Sequence, residues 1–283
     1  ITTGQYNTFV GRNAGAYTTT GSSNLFLGNY AGKSNTTGCC NVALGNLAGC
    51  SNTTSCHNIT VGHMAGRYMT SACNILIGYY AGCAGNCSSA NPNIYIGATA
   101  GRYASGLAGH NIGIGIGAGR GCSTDNTGSN NISFGRNTGL NITSAFYNNF
   151  IGTGAGQSTS SGNSNNFIGR YAGQANTTGA CNIAISENAL RCNTTGGNNI
   201  ALGFCAGFCN TTATNSIFIG NQAGCRNGGG SNVIIGECAG KNSTGYNNVF
   251  VGKYVGLNNT SNNNFMTGWG AGCSSSTGNY STF

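Results

Sequence analysis

The sequence predicts an all-β protein, a parallel β-solenoid of about sixteen coils of 16–20 residues with an internal asparagine ladder. Three observations predict this fold. A nine-residue motif recurs along the chain, aliphatic residues alternate within it, and asparagine stands at its first position. Because the repeats leave no room for another domain, we expect residues 1–283 to form a single repeat domain.

The motif reads N-x-x-aliphatic-G-x-x-A-G, as in NTFVGRNAG at residues 7–15. We call its fifth residue the first glycine and its ninth residue the second glycine. Copies lie mostly 16 or 17 residues apart, which predicts one coil per copy. One copy, NIAISENAL at residues 182–190, has Ser186 and Leu190 in place of the glycines, and we interpret it as tolerated drift. In the other copies the first glycine is Gly11, Gly28, Gly45, Gly62, Gly78, Gly97, Gly115, Gly135, Gly152, Gly169, Gly203, Gly220, Gly236, Gly252 and Gly268.

Each motif contains a short strand with aliphatic residues two positions apart, such as Leu25 and Leu27 around Phe26. Residues two apart on a strand share a face, so we expect these aliphatic residues to form the core. The position between them should then face outward, and aromatic residues there should contact another chain or a glycan. The outward aromatic set predicted in this way is Phe9, Phe26, Tyr95, Phe150, Phe167, Phe218 and Phe250.

Asparagine at the first motif position recurs in register with the strand. Identical side chains in stacked parallel coils lie about 4.8 Å apart, which allows an amide to donate to one neighbour and accept from the other. Such a ladder satisfies buried polar groups that would otherwise be costly. The predicted ladder contains Asn24, Asn41, Asn58, Asn74, Asn93, Asn111, Asn131, Asn182, Asn199, Asn232, Asn248 and Asn264.

Fifteen cysteines indicate an oxidising compartment. Cys39 and Cys56 occupy equivalent positions in successive coils, as do Cys192 and Cys209. A separation of about 4.8 Å is one that a disulfide tolerates, and a loop of about 17 residues would contribute about 3 kcal/mol. We therefore predict two disulfides between stacked coils.

Metal and catalytic sites are not expected. Cys83 with Cys87, and Cys205 with Cys209, have C-x-x-x-C spacing, but no second pair follows at the distance of a zinc finger. The chain has three acidic residues and three histidines, with no pair spaced for acid–base catalysis. We therefore predict neither an enzyme nor a cofactor. The acidic residues are Asp125, Glu187 and Glu237, and the histidines are His57, His63 and His110.

The charge and the hydropathy of the chain limit the kinds of partner that it is expected to bind. Only 5% of residues are charged, and the eleven basic residues form no run, so we expect no nucleic-acid partner. No apolar stretch approaches the roughly 18 residues of a membrane span, so no membrane insertion is expected. Several N-x-S/T sequons lie in turns, where covalent glycans could attach. These glycosylation candidates are Asn35, Asn52, Asn176, Asn193, Asn210 and Asn242.

The repeated motif resembles the tandem glycine- and asparagine-rich repeats of phage and viral tail-fibre-like proteins and of bacterial surface fibres. It is more distantly similar to the β-roll heads of trimeric autotransporter adhesins. The resemblance covers nearly the whole chain. It implies a fibrous or adhesive role outside the cell or on a cell or virion surface.

The leading functional hypothesis is a structural subunit of an extracellular filament, in which copies of the chain stack head to tail. No capping element blunts either end of the sequence, which fits either a chain cut from a longer rod or copies that stack. We favour stacking, and Ile1 and Phe283 are then expected at the joint between copies. An adhesive or receptor-binding fibre shaft is the first alternative. An ice-binding solenoid is the second, although the adjacent threonines of the turns lack the T-x-T pattern that such a surface needs.

Overall fold

The structure is a computed structural model that describes residues 2–83, 92–104, 109–122 and 127–273. Contacts divide the chain into two compact units, Ile1–Phe146 and Tyr147–Phe283. We call them the N-terminal and C-terminal units. Every regular element in the described ranges is a β-strand of three residues, and each motif copy contributes one strand.

The strands of each unit pair in parallel with their neighbours in the sequence, so successive coils stack in register. This confirms the predicted parallel β-solenoid. We number each coil by its strand. The N-terminal unit contains β1 (Thr8–Val10), β2 (Leu25–Leu27), β3 (Val42–Leu44), β4 (Ile59–Val61), β5 (Ile75–Ile77), β6 (Ile94–Ile96), β7 (Ile112–Ile114) and β8 (Ile132–Phe134). The C-terminal unit contains β9 (Asn149–Ile151), β10 (Asn166–Ile168), β11 (Ile183–Ile185), β12 (Ile200–Leu202), β13 (Ile217–Ile219), β14 (Val233–Ile235), β15 (Val249–Val251) and β16 (Phe265–Thr267).

The faces of the strands are the reverse of those expected. The central residue of each strand points inward, and the aliphatic residues on either side of it are only half-buried or exposed. The prediction of an outward aromatic set is therefore wrong. Phe26, Tyr95, Phe150, Phe167, Phe218 and Phe250 are buried in the core, and Phe9 is partly buried against the ring of Phe26.

Packing explains why the central residue is inside. The interior of so short a coil is narrow, and where the central residue is aromatic its ring fills the interior against the second glycine of the same coil. At Gly156, whose φ is 56°, a Cβ atom would lie 2.7 Å from the ring of Phe150. The flanking aliphatic residues instead stack on one another along the outer surface, where each covers part of the next.

The first glycine has a different reason to recur. At Gly203, φ is 134°, a conformation that L side chains rarely adopt. A Cβ atom there would lie 2.6 Å from the carbonyl oxygen of Gly220 in the next coil. The close approach of consecutive backbones therefore requires glycine at this position.

Coil 11 departs from both glycine rules. Ser186 keeps a φ of 119° and Leu190 a φ of 48°, so both side chains are held in strained backbone regions. Leu190 is fully buried, and the central strand residue of this coil is the small Ala184 instead of an aromatic residue. Leu190 therefore fills the volume that a ring occupies in coils 9 and 10. The large Leu190 thus compensates for the small Ala184. This compensation explains why leucine replaces the second glycine in coil 11 better than tolerated drift does.

Candidate functional site

The asparagine ladder is confirmed, and its main donor is the backbone. Asn182 donates its backbone N–H to Oδ1 of Asn165 at 3.0 Å, and its own Oδ1 accepts from the backbone N–H of Asn199 at 3.0 Å. Its Nδ2 donates to Asn165 Oδ1 and to the carbonyl oxygen of Gly196. One side chain thus connects three consecutive coils.

All twelve predicted ladder residues are buried. Ser216 replaces asparagine in one coil and keeps the connection: its N–H donates to Asn199 Oδ1, and its Oγ accepts from the N–H of Asn232. A buried amide N–H without an acceptor costs about 1–3 kcal/mol, so the ladder removes that cost in coil after coil.

A second buried polar column lies three residues after the second glycine, and we call it the turn column. Nδ2 of Asn35 donates to the carbonyl oxygen of Gly38, and Nδ2 of Asn193 donates to that of Gly196 and to Asn176 Oδ1. These side chains close the turn from inside. The turn column includes Asn35, Asn52, Asn176, Asn193 and Asn210, each at most 3% exposed.

The turn column corrects five of the six glycosylation predictions. A glycan must be joined to an amide that reaches solvent, and the amides of Asn35, Asn52, Asn176, Asn193 and Asn210 point into the solenoid. The sixth candidate, Asn242, precedes its column position and is half-buried, with Nδ2 donating to Asn258 Oδ1 at 2.8 Å. Asn242 stays a prediction.

The paired cysteines lie in successive coils as expected, but all four are free thiols, so neither predicted disulfide is present in the structure. The backbone N–H of Cys39 donates to Sγ of Cys56 at 3.1 Å, and Sγ of Cys39 contacts the carbonyl oxygen of Thr37. Each thiol is therefore directed at a backbone group and not at the other sulfur. Cys192 and Cys209 contact each other through their side chains.

Oxidation should join Cys192 to Cys209. Burial, with Cys209 as a second cause, raises the pKa of Cys192 above that of a free thiol. Its reactive thiolate is therefore scarce at neutral pH, and the rate of bond formation should rise as the solution becomes more alkaline. Peptide mapping by mass spectrometry after diamide treatment would detect the linked peptide, and Cys192→Ser is the control. A bond from Cys209 to Cys225 instead, or no bond at alkaline pH, would contradict the prediction.

The predicted joint residues Ile1 and Phe283 lie outside the described residues, as do Cys87 and Asp125. The described part of the chain contains no group of three or more His, Cys, Asp or Glu side chains able to hold a metal ion. It also contains no helix long and apolar enough to cross a membrane.

Sequence reasoning missed a basic surface. Every lysine and arginine stands one, five or six residues after the first-glycine position of its repeat. Stacking places these positions in the same turn of every coil, and we call this turn the basic corner. The available signal was register with the repeat, because no run of basic residues exists along the chain. The N-terminal unit contributes Arg12, Lys33, Arg67, Arg102, Arg120 and Arg136, and the C-terminal unit contributes Arg170, Arg191, Arg226, Lys241 and Lys253.

Tyrosine rings lie between the cations of the basic corner. Lys33 Nζ is 5.0 Å from the ring centroid of Tyr30 and 5.6 Å from that of Tyr17. The guanidinium of Arg102 is 4.8 Å from the ring of Tyr80 and 5.1 Å from that of Tyr103. These distances are within the range of cation–π attraction. The rings therefore hold the basic side chains along the surface.

Acidic side chains distinguish the two units. In the C-terminal unit, Glu187 pairs with Arg170 at 3.4 Å and Glu237 pairs with Lys253 at 2.9 Å. The hydrogen bond to Glu237 and its negative charge raise the pKa of Lys253. The described residues of the N-terminal unit include no aspartate or glutamate, so none of its described cations has a carboxylate partner there.

Each unit thus has two buried polar columns inside its solenoid and a basic corner on its surface. No family model, curated protein or solved structure matches this chain.

Proposed function

We propose that this chain is a structural subunit of an extracellular filament or fibre, in which coils continue from one copy to the next. The observation that supports the proposal is the uniformity of the contact between coils. Within each unit, neighbouring coils share a parallel strand pair in constant register, and a ladder asparagine or, in coil 13, Ser216 joins them. A coil from a second copy could therefore use the same contacts as a coil within the chain.

Strand β1 has hydrogen-bonding groups for such a contact. The N–H of Thr8 donates to Asn24 O, and the carbonyl of Val10 accepts from Gly28 N, both at 2.8 Å and both towards β2. Backbone groups alternate in direction along a parallel strand, so Phe9 between them directs its N–H and C=O away from β2. No described strand pairs with that side of β1. A preceding coil, from this chain or from another copy, would find partners there.

The threonine column favours a structural role over ice binding. Thr19 Oγ1 donates to the carbonyl oxygen of Thr36 at 3.1 Å, and Thr36 Oγ1 donates to that of Thr53 at 3.0 Å. The hydroxyl hydrogens of these side chains are thus used to join coils. The extracellular location rests on the cysteine content of the chain.

Electron microscopy and sedimentation velocity should show purified protein forming open filaments, and Phe9→Asp should shorten or abolish them. Phe9 stacks on Phe26 at 5.0 Å, so the other face of its ring is available to the central residue of an added coil. A carboxylate there would oppose stacking.

The control for the filament test is Val10→Asp, which places the same charge on the outward, 60% exposed neighbour of Phe9. We expect this variant to keep its filaments. Discrete particles from the unmodified protein at every concentration would contradict end-to-end assembly. Equal loss of filaments in both variants would show that the interior column is not the joint.

A further inference from the structure

We propose that the basic corner of the N-terminal unit binds a linear anionic polysaccharide whose carboxylate or sulfate groups lie on alternate sugars. The proposal does not depend on filament formation, because the ligand would contact the side of the coils and not their edge strands.

Uncompensated charge is the first argument. Six cations lie on this corner, and no acidic side chain of the described residues accompanies them. Arg102 and Arg120 belong to consecutive coils that are joined beside them by Tyr103 N–H donating to Arg120 O at 2.8 Å. An anion lying across both guanidinium groups would reduce their mutual repulsion.

The spacing of the cations favours a polymer with sparse charge. Lys33, Arg67 and Arg102 stand at the same position of coils 2, 4 and 6. Arg120 stands at that position in coil 7 and would share one anionic group with Arg102. Alternate coils lie about 9.6 Å apart, twice the strand spacing of about 4.8 Å. A polysaccharide with one acidic group for every two sugars likewise repeats its charge once per two units. A stacked nucleic-acid strand carries a phosphate about every 3.4 Å, which is much denser than this column of cations.

The tyrosines provide the second kind of contact. Tyr17, Tyr68 and Tyr79 are 58%, 42% and 55% exposed, although tyrosine rings are costly to leave in water. The C–H face of a sugar ring is apolar and can pack on such a ring, while the phenol hydroxyl can hydrogen-bond to sugar hydroxyls. Charge and stacking together would align a chain of sugars along the axis of the coils.

The test is fluorescence anisotropy of the full chain with four labelled probes: unsulfated chondroitin, hyaluronan, neutral dextran and oligo-dT. We expect the two anionic polysaccharides to bind, with affinity that falls as salt rises. Replacing Lys33, Arg67 and Arg102 together by Gln should weaken binding about 10- to 100-fold, since three exposed charge contacts are lost at once. The double variant R67K/R102K keeps the charges and should retain most of the affinity.

The matched control replaces Arg170, Arg226 and Lys253 by Gln in the C-terminal unit, where two of the three already pair with glutamate. It removes the same number of charges from the basic corner of the C-terminal unit and should leave the affinity within about 3-fold, because paired cations offer little further attraction. Thermal unfolding verifies that each variant is folded. Equal losses in both triple variants, binding of dextran as tight as that of hyaluronan, or tighter binding of oligo-dT would each overturn the proposal.

Discussion

Replacing Asn182 by alanine should lower the free energy of unfolding of the C-terminal unit by about 2–4 kcal/mol. The substitution removes the acceptor of the Asn199 backbone N–H, which is buried with its residue. The carbonyl oxygen of Gly196 keeps a second donor in Asn193, and Asn165 Oδ1 keeps the backbone N–H of residue 182. The orphaned N–H of Asn199 and the lost volume therefore account for most of the cost.

Serine at the same position should cost about half as much. Ser216 already occupies a ladder position, where its Oγ accepts from Asn232 N–H at 3.2 Å. Asn182→Ser can restore that acceptor for Asn199 but not the two bonds made by Nδ2. We therefore expect the natural protein to be the most stable, the Asn182→Ser variant to be less stable and the Asn182→Ala variant to be the least stable.

Urea unfolding gives the stabilities, and hydrogen exchange at Asn199 reports the local effect, because repeat proteins can unfold in segments. Asn221→Ala is the control: it removes an exposed asparagine of the same unit and should change stability by less than about 0.5 kcal/mol. If alanine and serine cost the same, or if Asn199 exchanges no faster in the alanine variant, the ladder does not stabilise the fold in this way.

Features that repeat with the coil could be predicted from the sequence. The ladder followed from asparagine in constant register with the strand, and the parallel strands followed from the repeat length. The direction of Phe26 could not be predicted, because a period of two shows which residues share a face but is the same for inward and outward faces. Deciding between them needs the shape of the closed coil, in which the ring of Phe26 packs against Gly32.

Two other errors came from reading the chain locally. Asn35 belongs to a sequon and to a turn, but its amide is inside because the turn closes around it to Gly38. Arg102 and Arg120 are separated by eighteen residues in the sequence, yet they lie in adjacent coils. A sequon is defined by three consecutive residues, and a basic run is defined by residues that are adjacent in the sequence. Neither pattern tells which residues of different coils lie next to each other.

Coil 11 allows a test of whether a large side chain at the second-glycine position compensates for a small central residue in the strand. Replacing Leu190 by glycine should destabilise the C-terminal unit by about 2–4 kcal/mol, because the cavity left by a fully buried leucine outweighs the relief of its positive φ. Replacing Ala184 by phenylalanine should also destabilise the unit, by about 1–3 kcal/mol, since the ring would meet Leu190.

Together, A184F and L190G should return the stability to within about 1 kcal/mol of the natural protein, a favourable coupling of at least about 2 kcal/mol. The double variant recreates the pair of Phe167 and Gly173 in coil 10, where the phenylalanine ring occupies the space that a Cβ atom at residue 173 would need. The new ring would stack on Phe167 as Phe150 already does, with centroids 5.4 Å apart.

The reverse exchange in coil 10 is the matched control. Phe167→Ala with Gly173→Leu transfers the arrangement of coil 11 to its neighbour and should be tolerated better than Gly173→Leu alone, whose side chain would collide with the ring of Phe167. Guanidinium unfolding of all six variants gives the two coupling energies. If the single effects simply add in both coils, then Leu190 does not compensate for Ala184, and its burial has no relation to the missing ring.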